Sequence, residues 1–445
     1  MILECEHELN NLINRIPGQR VLMMPVLSSP VIHASQNQLV ALYVYTEDNY
    51  ECLIPFRHTE QIRGYTEHVQ RLLAIDNIFV YDKKQWLQIG GNSNVWDVKT
   101  LWWYTYNEPY DDTHYHTAAH SFFWRRHANL THVNSIVPLQ QHLQMCQKIR
   151  KYAWPMCIHS KLSDSYLHFN RLYPDVFSKI ESAGIAVDSS FKVPDLIINN
   201  KVYTQYNYHT TTGRPSNSHR GFNFAAMNKE DDTRAAIISR FPNGKLIEFD
   251  FDAYHIRLIA RLINYDLPDM SIHEYFGKFY FNTDTLTTAQ YDQSKQITFR
   301  LIYGGIDREF LSIPFFKKTN DFIYSIWNQC KSKQYIKTPI LGRHIPITNI
   351  TGATANKVFN YYLQATETEV SVQKLNAILT ALGSYETKLI LYTYDSILLD
   401  VPSTEVTSII DNISMILQQG NFPVKIKQGH NYNKMIEINS NIVIA

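Results

Sequence analysis

Apolar residues recur along this chain in two periods, and the switches between them mark out its elements. Residues 39–45 and 52–56 are rich in β-branched and aromatic residues, as is 78–81, and each run predicts a strand. A stretch around 59–74, between the second and third runs, reads as helix. Residues 120–190 read mostly helical, with a break predicted at Trp154-Pro155, because proline lacks the amide that a helix interior needs. From about 240 the pattern changes. Residues 246–251 read as an apolar strand. Ile256, Ile259, Ala260 and Ile263 then fall at i, i+3, i+4 and i+7, one face of an amphipathic helix. Residues 271–335 look largely helical. Residues 389–401 read as two apolar strands around a tight Tyr394-Asp395-Ser396 turn. A helix from about Ser403 carries Ile409, Ile413, Ile416 and Leu417 and stops at Gly420. Short strands at 424–427 and 435–438 close the chain. This order predicts an antiparallel sheet backed by helices.

Length and composition narrow the class. A chain of 445 residues, 44% hydrophobic and 19% charged, predicts two or three globular domains, each able to bury a core. No apolar run reaches the roughly 18 residues that span a membrane. The start, Met1-Ile-Leu-Glu-Cys-Glu-His-Glu, lacks the basic region of a signal peptide. A cytoplasmic protein without a membrane partner is expected. Five scattered cysteines predict a reducing compartment. His142, Cys146, Cys157 and His159 invite a zinc reading, but their spacing matches no standard finger, and buried thiols with surface histidines are preferred. A net charge of +1 does not advertise nucleic acid, although lysines cluster at Lys317-Lys318 and between Lys331 and Lys337.

The chemistry lies in two aspartates 145 residues apart, each at the end of an apolar strand: Asp250 in Glu248-Phe-Asp250-Phe-Asp252, and Asp395 in Tyr394-Asp395-Ser396. Taken singly, each reads as a turn residue. Taken together they form a minimal carboxylate pair for two Mg²⁺ ions, which prefer hard oxygen ligands. Between them, Lys295, Phe299 and Tyr303 stand at i, i+4 and i+8 on one helical face. Such a lysine can meet phosphate oxygens, and the rings can stack on sugar and base; the alternative is a core aromatic stripe.

These segments resemble the family A (DNA polymerase I) DNA polymerases. Asp250 matches motif A, Lys295/Phe299/Tyr303/Gly304 matches motif B, and Asp395 matches motif C. Residues 177–188 resemble the thumb entry, and Thr212-Gly213-Arg214 the arginine loop of the primer-template minor groove. His273 resembles the fingers histidine near the triphosphate. Asn360 and Gln364, preceded by Leu341-Gly342-Arg343, resemble the helix at the nascent pair. The resemblance covers roughly 155–445. It implies a multidomain α+β / α/β chain with a right-hand polymerase preceded by an RNase H-like exonuclease-type domain. Residues 1–150 would be the exonuclease-like domain and 151–445 the polymerase, with thumb about 155–205, palm about 206–266 and 346–445, and fingers about 267–345. Asp250 and Asp395 would be catalytic and hold two Mg²⁺ ions, with Mn²⁺ as a substitute. His273, Lys295, Phe299, Tyr303 and His255 would bind the dNTP. Arg214, Asn360, Gln364 and Arg257 would meet primer-template DNA. A helicase, primase or processivity factor would be a further partner, in the host cytoplasm if the enzyme is viral.

The departures keep alternatives open. Tyr291 replaces the family's arginine four residues before the motif B lysine. His255 replaces the glutamate that blocks a ribose 2′-hydroxyl, and Ser396 replaces the glutamate of motif C. A sugar-tolerant or RNA-synthesising polymerase is therefore the second reading, and a non-catalytic nucleic-acid-binding relic the third. Asp252 has no assigned role. In the exonuclease-like region, His33-Ala34-Ser35 stands where the family has Asp-x-Glu, and Asp97 is the one acid that survives. An inactive structural platform is expected there.

Overall fold

The structure is a computed structural model and describes residues 1–445 except 4, 61–65, 128, 129, 131, 228–231 and 439–445. The chain forms two compact units. The first comprises 1–209 and 216–237, and the second 210–215 and 238–445.

The first unit is built on a five-stranded sheet of β1 (Val21–Leu27), β2 (Leu39–Thr46), β3 (Glu51–Pro55), β4 (Phe79–Val80) and β5 (Trp96–Asp97). Their order is β3-β2-β1-β4-β5, the first three antiparallel and the last two parallel. Both faces are covered. Leu22, Met24, Ala41 and Tyr43 pack on one side with Leu143, Cys146 and Ile149, while Val21, Met23, Leu42 and Val44 pack on the other with Leu9, Leu12 and Trp86. Burial on both sides explains why these strands read as continuous apolar runs.

The sequence reading missed β1. Pro25 in its middle argues against a central strand. The ladder to β4 stops at Met23, so only β2 flanks the strand at Pro25. His33-Ala34-Ser35 accordingly lies outside the sheet; Ala34–Gln36 is a single 3₁₀ turn. Of the helix expected around 59–74, Thr66–Leu73 is present and 61–65 lie outside the described residues.

Three helices carry the argument in this unit: α1 (Lys83–Gln88), α2 (Leu139–His159) and α3 (Asp164–Ala183). The break predicted at Trp154-Pro155 does not occur, because α2 runs through it. Pro155 and Lys151, whose carbonyl loses its partner, are both exposed, so water can meet that carbonyl. The buried face of α2 carries Cys146, Ala153, Met156 and Cys157 instead. His142 is also buried, between His120 Nε2 at 3.0 Å and the Asn134 carbonyl at 2.8 Å. Among the described residues, no group of three or more His, Cys, Asp or Glu side chains is set to hold a metal. No helix among them is long and apolar enough to cross a membrane.

The second unit has the predicted antiparallel sheet, made of β6 (Lys245–Phe251), β7 (Lys388–Thr393), β8 (Ser396–Val401), β9 (Val424–Gly429) and β10 (Met435–Ile438), in the order β7-β8-β6-β9-β10. Its helices are α4 (Tyr254–Leu262), α5 (Ile272–Phe281), α6 (Thr288–Gly304), α7 (Pro314–Lys333), α8 (Ala355–Ala381) and α9 (Val406–Gln418). Thr287 and Gln290 close a capping box at the start of α6, satisfying amides that a helix N-terminus leaves unpaired. α8 is buried nearly all round, including Thr366, Glu367, Thr368 and Glu369.

Candidate active site

Strand register brings the two distant aspartates together. In the β6–β8 ladder Asp250 stands opposite Ser396, one residue from Asp395, and the Phe251 amide donates to the Asp395 carbonyl at 3.0 Å. Asp395 occupies the two-residue β7–β8 turn, where Thr393 pairs with Ser396. Such a turn calls for positive φ, usually from glycine; here Tyr394 adopts φ 63°. A bulky residue in that region is strained. Its ring lies 3.7 Å from the Arg214 guanidinium carbon, a cation–π contact that holds it. Ala253, between β6 and α4, also takes a left-handed conformation, at φ 50°. Both aspartates thus sit beside tight backbone turns.

The electrostatics at Asp395 are unusual for an exposed residue. Desolvation of its carboxyl and the nearby Glu367 carboxylate raise its pKa above the ordinary aspartate value, against the opposing charge of Arg214. A carboxyl raised in this way sits where further positive charge would stabilise its ionised form.

The predicted motif B residues lie on α6. Lys295 is exposed; Phe299 and Tyr303 are stacked, with centroids 6.1 Å apart. His273, on α5, meets Phe299 edge-on at 5.6 Å. Burial, then the Lys295 charge, depresses the His273 pKa to about 4, so the imidazole is neutral at pH 7. Its Nδ1 is buried and has no hydrogen-bond partner.

His255, on α4, joins α6 to α8. Its Nδ1 is 2.5 Å from the Tyr303 hydroxyl and its Nε2 is 2.9 Å from Glu367 Oε2. The same Glu367 oxygen lies 3.7 Å from Arg214 Nε. The sequence reading missed Glu367. A signal existed: Asn360, Gln364, Glu367 and Ser371 fall at i, i+4, i+7 and i+11, a polar stripe along α8.

Other predicted residues are committed to the fold. Asn360 Nδ2 donates to the Tyr303 carbonyl at 3.1 Å, and Asn356 Nδ2 to the Gly304 carbonyl at 3.0 Å, so α8 caps the last turn of α6. A Cβ at Gly305, where φ is 118°, would lie 2.5 Å from that Asn356 amide. Gln364 is half-buried on the same face of α8. Arg257 is buried and donates to the Asp252 and Met270 carbonyls, and the structure does not join it to the Arg214 cluster.

Asp252 gains a role. Its carboxylate lies 2.9 Å from Lys425 Nζ and 3.7 Å from Arg257. Lys425 stands opposite Asp250 in the β6–β9 ladder, and its charge also acts on His273. Ser396 is engaged too: its hydroxyl donates to Glu248 Oε1 at 3.0 Å, as does the Tyr432 hydroxyl at 2.9 Å.

No family model matches the chain, and no curated protein matches it in sequence. Its fold is similar to a solved structure described as the POL domain of Pol1 from M. smegmatis in complex with DNA primer-template and dNTP. That likeness covers 97% of this chain and 99% of the other, with a TM-score of 0.68 and 14% sequence identity. The chain therefore has the fold of that polymerase domain.

Proposed function

We propose that this protein is a template-directed DNA polymerase of the family A type. The observation that carries the reading is that strand register brings Asp250 beside Asp395: Asp250 pairs with Ser396 and the next amide, Phe251, donates to the Asp395 carbonyl, in the same unit as Lys295, Phe299, Tyr303 and His273. The palm would lie within 206–266 and 346–445, the fingers about 267–345 and the thumb about 155–205.

The donor set fits hard divalent ions: one carboxylate near the end of β6 and one in the β7–β8 turn, the latter with a pKa raised first by burial and then by the Glu367 charge. Bound there, two Mg²⁺ ions, or Mn²⁺ in their place, would activate a primer 3′-hydroxyl and stabilise the leaving pyrophosphate. The chain's own groups do the rest. Lys295 offers a mobile ammonium to triphosphate oxygens, and Lys425 lies on the same side of the sheet as Asp250. His273, being neutral, serves as a hydrogen-bond donor rather than a cation. Phe299 and Tyr303 give stacking faces, and Arg214 a guanidinium for the primer-template.

Two observations favour deoxyribose over the sugar-tolerant reading. Both His255 nitrogens already face partners, and the Ser396 hydroxyl is spent on Glu248, so neither side chain is poised to recognise a 2′-hydroxyl. Extension of a labelled DNA primer with Mg²⁺, comparing dNTPs and rNTPs, tests this. dNTP-only extension supports it, comparable rNTP extension promotes the alternative, and DNA binding without extension favours the relic.

In the first unit, the order β3-β2-β1-β4-β5 supports an RNase H-like layer without nuclease chemistry. Asp97, the one candidate acid, caps a helix: its carboxylate accepts from the Thr100 amide at 3.0 Å and the Lys83 amide at 3.1 Å. Burial, then the Asp82 charge, raises its pKa to about 7. Labelled single-stranded DNA should stay intact with Mg²⁺ or Mn²⁺; 3′ trimming would refute the platform reading.

A further inference from the structure

Glu367 is a buried acid to which the reading above gives no role of its own. Its side chain is 3% exposed, and Oε2 has no well-aligned hydrogen bond. Two donors approach that one atom: His255 Nε2 at 2.9 Å and Arg214 Nε at 3.7 Å. Each of these nitrogens is likewise buried without an aligned partner. A buried carboxylate oxygen in that state is costly, because low local polarity magnifies every unmade bond. The arrangement therefore sits between two better ones, in which Oε2 aligns fully with one donor or the other.

The donors belong to different jobs. Arg214 is the guanidinium offered to the primer-template and lies on the Tyr394 ring beside Asp395. His255 is held on its other side by Tyr303, on α6. Burial raises the Tyr303 hydroxyl to about 12, so it keeps its proton and donates to Nδ1. The Nε2 nitrogen then carries the imidazole proton and points it towards Glu367.

We infer that Glu367 is a positioning residue that makes sugar selection depend on nucleic-acid engagement. When Arg214 turns to the primer-template, Oε2 passes wholly to His255. The imidazole is then fixed between Glu367 and Tyr303, with no nitrogen left for a 2′-hydroxyl. Without that engagement the carboxylate is shared and the ring is less firmly held. This rests on the polymerase reading, and it adds that the sugar check is set from α8, not from His255 alone.

The test compares Glu367→Gln, His255→Gln and the double variant, using a labelled DNA primer, dNTPs and rNTPs. Loss of Glu367 should relax rejection of rNTPs by about tenfold, as losing one buried polar contact does, with a smaller fall in dNTP turnover. The double variant should be no more permissive than the His255 variant, because the two act as one unit. An unchanged rNTP/dNTP ratio in Glu367→Gln, or additive effects, would overturn the inference. Long-range ¹H–¹⁵N spectra of histidine-labelled protein, with His255 assigned from its Gln variant, give a readout that needs no catalysis. Addition of primer-template should sharpen His255 into the Nε2–H tautomer in the wild type and not in Arg214→Gln, a variant that leaves the buried acid in place. The same His255 signal in both, with and without DNA, would sink the coupling. Failure of the wild type to extend any primer would count against the polymerase reading alone.

Discussion

The two units spend their charged groups differently. In the first, buried charges are paired off. Lys83 lies 2.8 Å from Asp175 and Lys84 2.7 Å from Glu181, while Lys99 lies 3.3 Å from Asp112. Glu181 also accepts the Gln88 amide and the Tyr206 backbone N–H, both at 2.6 Å. Even the cleft of about 650 Å³ in this unit is lined by groups already engaged with each other, among them Asp82, Lys84, Lys99, Asp112 and Glu181. In the second unit, Asp395 is exposed with a raised pKa and Lys295 is exposed. Acids that close hydrogen bonds inside a fold stabilise it and are lost to chemistry. Acids kept near like charge at an open turn cost stability and remain able to gather cations.

The sharpest way to break this contrast is Asp395→Ala. Primer extension should fall by roughly a thousandfold or more, while DNA binding and the melting temperature barely move. Equal loss of binding and extension would make Asp395 a structural residue.

Glu181→Ala should do the converse. Stranding Lys84 in the interior should cost about 3–5 kcal/mol of stability, seen as a lower denaturant midpoint. Specific activity of the folded fraction should hold. A stable variant would mean that the first unit's ion pairs are not structural.

Acidification should separate the units further. Burial is the largest cause holding His120 and His209 near 3, and His142 and His219 near 4, all in the first unit. Their folded pKa values lie below the unfolded value of about 6.5, so the unfolded state takes up more protons as pH falls. Stability is therefore full above about pH 6.5 and lost towards pH 4. Asp97 and Asp175 oppose this, since a raised carboxyl pKa favours the folded state at lower pH, while His116, also lowered by burial, adds to the loss. In the second unit, burial lowers His273 and His344 among the described histidines with a resolved shift, and also Lys374, which stays protonated throughout this range. Hydrogen exchange at pH 5 should show the first unit losing protection before the second; uniform loss would refute the assignment.

The smallest expected effect is at Lys425. Lys425→Ala should raise KM for dNTPs a few-fold and leave kcat nearly unchanged, the pattern of a lost uniform-binding charge. An unaltered KM would confine Lys425 to its ion pair with Asp252.

Much of the second unit was legible because its signals are local. The turn around Asp395, the strand ending at Asp250 and the helix carrying Lys295, Phe299 and Tyr303 each announce themselves within about a dozen residues, where backbone period and side-chain type decide the element. The first unit was harder. β1 carries a proline that local rules reject, and only the short reach of β4 makes it tolerable. Pro155 stays inside a helix because tertiary packing buries the opposite face of α2.

By itself, then, the sequence determined the order of elements in the second unit, the two acids and the aromatic stripe. It could not determine which side chains share an atom. That Glu367 lies between His255 and Arg214, that Asn360 caps α6, and that Lys425 answers Asp252 were decided by tertiary structure. Such pairings depend on register and helix packing between segments up to about 170 residues apart, where a shift of one residue turns every side chain to the other face.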